Sequence, residues 1–121
     1  MSTQKIAVIL DKLIEKTAAG ELGWQSTERR DVYQVSFPHY SIRMQRIDKD
    51  FEEDFVVQII NKDGNILDSF NDTEVKLFYS NAFSRMKELH SAARRKAMGV
   101  EDALDELLKE LTKDDFDDIP F

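Results

Sequence analysis

Tyr33-Gln34-Val35-Ser36-Phe37-Pro38-His39-Tyr40-Ser41-Ile42-Arg43-Met44-Gln45 is the stretch on which the fold turns. Tyr33, Val35 and Phe37 alternate with Gln34 and Ser36, the period of two of a half-buried strand. Pro38-His39 interrupts the pattern, because proline has no N–H for a ladder, and predicts a turn or bulge. Tyr40, Ile42 and Met44 then alternate with Ser41, Arg43 and Gln45, which makes a second strand. Asp48-Lys49-Asp50-Phe51-Glu52-Glu53 reads as a loop. Phe55 to Ile60 is more apolar than its neighbours and predicts a central third strand. Asp63-Gly64 is a hairpin-turn dipeptide, and Ile66 to Phe70 supplies the fourth strand. Connections this short imply an antiparallel meander.

Helical spacing flanks the strands. Before them, Ile6, Ile9, Leu10, Leu13, Ile14 and Thr17 form one stripe, with Ser2 and Thr3 as caps and Gly20 closing the helix. After them, Asn71-Asp72-Thr73-Glu74 is a helix start. Val75, Phe78, Tyr79, Ala82, Met86, Leu89, Ala93 and Ala97 then predict one long helix that Gly99 ends. Arg94, Arg95 and Lys96 sit in its last turn, where cations offset the helix dipole. A last helix carries Leu104, Leu107, Leu108 and Leu111. The expected architecture is α+β, in the order α-β-β-β-β-α-α. One domain over residues 1–112 is expected, with 113–121 a disordered acidic tail. A sheet with two faces and little helix to cover them predicts a homodimer.

The composition narrows the classes. A chain of 121 residues, 41% hydrophobic, suits one domain with one modest core. The absence of cysteine excludes disulfides and thiolate metal sites. Together with a first helix unlike a signal peptide and no long apolar run, this predicts a cytoplasmic protein without a membrane span. The net charge is −7, and setting aside the four acids of residues 114–121 leaves −3 on the rest. Overall charge therefore gives no general affinity for nucleic acid, so a binding face would have to be local.

No nucleophile–base constellation is present. His39 and His90 are isolated and read as surface or packing residues, and Trp24 as packing. Asp48, Asp50, Glu52 and Asp54 alternate like calcium ligands but lack the glycine of the calcium loop. No glycine-rich loop cradles a phosphate. The expectation is a protein that is not an enzyme and uses neither cofactor nor metal. The candidate DNA face is Arg29, Arg30, Tyr33, Tyr40, Arg43, Gln45 and Arg46, because single-strand binders combine aromatic platforms with cations. Alternation puts Arg43 and Gln45 on one face and Tyr40 on the other.

The chain closes on Asp114-Asp115-Phe116-Asp117-Asp118-Ile119-Pro120-Phe121. Phe121 joins an aromatic ring to the terminal carboxylate, which suits a shallow apolar pocket with an arginine or lysine at its lip. Pro120 biases Ile119 towards an extended shape, which lowers the entropy lost on docking. The four aspartates would steer the segment to a basic surface. Residues Asp115 to Phe121 resemble the C-terminal tip of bacterial single-stranded DNA-binding protein. That resemblance implies docking onto replication, recombination and repair enzymes. It does not extend to the body, because that family carries an oligonucleotide-binding barrel and a flexible linker, and this chain shows neither. The Ala92–Val100 and Leu104–Leu111 region is loosely similar to small bacterial and phage proteins, which brings no function with it. Two expectations follow. One is a single-stranded DNA-binding or replication and recombination accessory that recruits enzymes through its tip. The other is an adaptor or inhibitor, of phage or mobile-element type, that occupies the tip pocket of a nuclease, helicase or polymerase subunit without binding DNA.

Overall fold

The computed structural model describes the backbone of residues 3–117 and the side chains of residues 3–113. The elements run α1 (Thr3–Ala18), β1 (Gln25–Ser26), β2 (Val32–Ser36), β3 (Tyr40–Lys49), β4 (Glu52–Asn61), β5 (Ile66–Asn71), α2 (Asp72–Val75), α3 (Ala82–Ala97) and α4 (Val100–Asp117). The strands form one antiparallel sheet in the order β1-β2-β3-β4-β5. The class is therefore α+β, with five strands where the sequence pattern indicates four. The additional strand, β1, has two residues, too few for alternation to register.

Register makes the two faces of the sheet different. Tyr33, Met44, Val57 and Phe70 stand opposite one another on successive strands, and all four are buried. Ile6, Leu10 and Leu13 of α1, Val75 of α2, and Met86, Leu89 and Ala93 of α3 close over this row in one hydrophobic core. Burial of each large aliphatic or aromatic side chain contributes about 2 kcal/mol, so this row dominates stability. One residue along, Gln34, Arg43, Gln58 and Ser69 form a polar row on the opposite face.

Polar ties fasten the periphery to the core. The Trp24 indole N–H donates to Thr17 Oγ1 at 2.9 Å, so the chain leaving α1 is held against that helix. The Phe55 amide donates to the buried Asp72 carboxylate at 2.9 Å and anchors α2 beside β4. The Tyr79 hydroxyl donates to Asp11, which also pairs with Arg85 at 3.3 Å, and the three groups clamp α1 to the segment before α3. Burial, then the Asp11 bond, pushes the Tyr79 hydroxyl up to about 12.

Two expectations are corrected. The Val75–Ala97 helix is broken. The capping box of Asn71 and Glu74 starts α2 as read from the sequence, but α2 stops at Val75, and Asn81 adopts the left-handed conformation (φ 58°) before α3. The Val75, Tyr79 and Ala82 spacing survives because all three still face the core. The Asp48–Glu53 loop is a tight hairpin, with only Asp50 and Phe51 between paired strands. Both residues take positive φ, 49° and 70°, as a twist-compatible two-residue turn requires.

Left-handed backbone is costly for a side chain with a Cβ, and the Phe51 ring is fully exposed, so it recovers nothing by packing. Phe51→Gly is expected to stabilise the fold by about 1 kcal/mol. A higher urea midpoint with an unchanged slope is the result to look for; a lower midpoint would mean the Phe51 ring packs against something.

Candidate functional site

The seven residues of the candidate DNA face go to separate places. Tyr33 lies in the core row, 6% exposed, with its ring 5.3 Å from that of His90, so no base can stack on it. Gln45 is buried on the opposite face and its amide donates to Gln58 at 2.7 Å. Arg43 shares that face and donates through Nε to Gln34 at 2.7 Å. Tyr40 is half-exposed at the start of β3, on the side of Ile42 and Met44. Arg46 is the hub of an ion-pair network: Nε reaches Glu53 at 2.6 Å, and the other nitrogens reach Asp48 at 3.1 Å and Asp31 at 3.4 Å. Lys87 of α3 adds a second cation to Glu53 at 3.3 Å. The hydrogen bond from Arg46, then that from Lys87, holds the Glu53 carboxyl below its ordinary value. Three carboxylates already claim Arg46, which leaves it little capacity for a phosphate.

Arg29 and Arg30 are the pair that the fold keeps together, on the turn before β2. Thr27 builds that turn. Its hydroxyl oxygen accepts from the Arg29 amide at 3.2 Å, and its hydroxyl donates to the Val32 carbonyl at 2.9 Å. Asp31, left-handed at φ 60°, completes the bend. His90 then pins the turn to α3: its Nε2–H donates to the Asp31 carbonyl at 2.9 Å. One helical turn further on, on the same side of α3, is Arg94. Arg29, Arg30 and Arg94 thus converge on one open cleft of about 440 Å³ that Ser26, Thr27 and Tyr33 also line. Sequence reading could not place Arg94 there. Its partners are more than sixty residues away, and its helix-terminal position accounted for its charge.

His90 is a packing residue, 4% exposed, between the rings of Tyr33 and Phe55. Burial is the main cause that lowers its pKa from the ordinary 6.5, against the opposing effect of its bond to Asp31.

The leucines of α4 are all about half-exposed, and among the described residues of α4 none is buried. The docking segment falls at the limit of description. The side chains of Asp114, Asp115, Phe116 and Asp117, and the whole of Asp118, Ile119, Pro120 and Phe121, lie outside the described residues. Among the described residues no cluster of three or more histidine, aspartate or glutamate side chains is placed to hold a metal ion. No helix among them is long and apolar enough to cross a membrane. Comparison with protein-family models, curated proteins and solved structures found no match to this chain.

The depressed His90 and Glu53 groups set an acid-side dependence. Each favours its deprotonated form in the fold, so the stability each contributes is present above its unfolded pKa and lost as pH falls through its folded one. The urea midpoint should hold above the ordinary histidine value of 6.5 and decline as pH falls below it, with a further decline below the ordinary glutamate value of 4.5. In a histidine NMR titration His90 should turn below 6.5. A midpoint that rises on acidification would contradict both assignments.

Proposed function

We propose that the protein is a non-enzymatic docking adaptor of DNA metabolism. It engages enzymes that read the tip of bacterial single-stranded DNA-binding protein, using Asp114 to Phe121 as the docking peptide. The observation that carries this reading is the sequence of that segment: four aspartates interleaved with Phe116 and followed by Ile119-Pro120-Phe121. A purely solvating tail gains nothing from large apolar groups. Its setting is consistent, because α4, which runs to Asp117 and so includes the first residues of the segment, has no buried side chain among those described. The geometry of the strands favours this form over one in which the sheet holds single-stranded DNA. Tyr33 and Gln45 are buried and Arg46 is ion-paired, so the strands present no aromatic and cationic track.

In this reading Phe121 carries the carboxylate that the partner grips, and Ile119, Pro120 and the Phe121 ring fill its pocket. Competition anisotropy tests it. The protein should displace a labelled single-stranded DNA-binding protein tip peptide from a tip-reading nuclease or helicase. Deletion of Phe121, or addition of residues after it, should abolish displacement, and rising salt should weaken it. Equal displacement by the chain without Phe121 would refute the docking role.

A second copy of the chain is the proposed cover for the leucines of α4. Leu104, Leu107, Leu108 and Leu111 repeat at the spacing of a helix–helix seam and are 45%, 49%, 59% and 56% exposed. Pairing there would set two docking segments side by side and raise avidity on clustered partners. Asp102, Asp105, Glu106 and Glu110 outnumber Lys109 and Lys113 among the described side chains of α4 and would bring net like charge to the seam, so the dimer should tighten as salt rises. Light scattering across a salt series checks this, with Leu104→Glu/Leu108→Glu expected to give a monomer throughout. A mass unaffected by salt or by those substitutions would exclude pairing through α4.

A further inference from the structure

The arginines of this chain divide in a way that the ion-pair pattern exposes. There are seven. Arg46, Arg85 and Arg95 are held by carboxylates, and Arg43 donates to Gln34. The other three are Arg29, Arg30 and Arg94. Their guanidinium groups have no hydrogen-bond or ion-pair partner among the described residues, and all three line the same cleft. In a chain with 24 acids against 17 bases, three arginines with no such partner that converge on one opening concentrate positive potential.

The cleft contains opposing charge, but less than its lining suggests. Glu28 and Asp31 border it. Asp31 is committed to Arg46 at 3.4 Å, which leaves Glu28 as the one carboxylate without an ion-pair partner among the described residues of the lining. The positions are firm. Thr27 fixes the turn from within, and the His90 bond to the Asp31 carbonyl fixes its distance from α3 and hence from Arg94. The three cations are therefore held near one another by the backbone, independently of any anion. Guanidinium groups on two different elements approach from different directions. A planar carboxylate is satisfied by one guanidinium fork, whereas a tetrahedral phosphate accepts from several sides. The Ser26 hydroxyl adds a neutral donor at the wall, whereas the Thr27 proton is spent on the Val32 carbonyl.

We propose that this cleft binds a phosphate group, carried by a nucleotide or by a nucleic-acid strand. Its volume of about 440 Å³ exceeds what a bare phosphate fills and leaves room for the attached nucleoside. None of the residues named for this site belongs to the C-terminal docking segment. It differs also from a track along the strands, because Arg43 lies on the opposite face of the sheet and takes no part.

The test uses the full chain at low salt, with thymidine 5′-monophosphate followed by calorimetry and labelled oligo-dT followed by anisotropy. Arg29→Glu and Arg94→Glu should each weaken binding at least about tenfold, the scale of one charge-assisted bond lost and a like charge introduced. Arg43→Glu and deletion of Phe121 should leave it unchanged. Both arginines are exposed, so matching thermal melts will show that the variants remain folded. Oligo-dT binding far more tightly than the mononucleotide assigns a strand as the ligand. Equal affinities assign the nucleotide itself. Either result supports the cleft. Failure of the unaltered chain to bind both probes overturns the proposal, as does an Arg43→Glu loss equal to that of Arg94→Glu.

Discussion

The packing of α3 across the inner face of the sheet is the constraint on which the rest depends. Met86, Leu89 and Ala93 share one core with the row of Tyr33, Met44, Val57 and Phe70, which makes that face dry and leaves the row of Gln34, Arg43, Gln58 and Ser69 on the other. It also fixes the azimuth of α3. With Leu89 and Ala93 turned to the core, His90 falls beneath the turn before β2 and Lys87 beside Glu53. Arg94 follows from His90 by helical geometry. The arginine cleft is thus a consequence of how the core is built.

Charge is distributed by the same geometry. Carboxylates hold Lys12, Lys16, Arg46, Arg85, Lys87 and Arg95, and the network of Arg46 with Asp31, Asp48 and Glu53 consumes a cation of β3. Three arginines surround the cleft beside the start of β2, and the acids of α4 run towards the C-terminal segment.

Much of the fold was legible in the sequence. Alternation from Tyr33 to Gln45 located β2 and β3 and assigned their faces, because Met44 on one side and Arg43 on the other follow from a period of two. Asn71 and Glu74 announced their capping box. The break before α3 was hidden, since the turn from Lys76 to Asn81 keeps Tyr79 and Ala82 on the core at spacings a helix would also give. The tightness of the Asp50-Phe51 hairpin was hidden because Phe is a poor turn residue and the acids around it resemble a solvated loop. The site was less legible. Sequence grouped Tyr33 and Arg46 with the other cations, but burial removes the first and ion pairing occupies the second. Convergence of Arg94 with Arg29 is a tertiary fact that no local pattern encodes.

The central claim is that the protein acts through its C-terminal segment while the sheet serves as scaffold. Amide NMR of the labelled full chain, titrated with a tip-reading enzyme, tests it most directly. The account predicts shifts and broadening concentrated at residues 114–121, with the amides of β2, β3 and β4 unmoved. Perturbation of the strand amides with a silent C-terminal segment would contradict it.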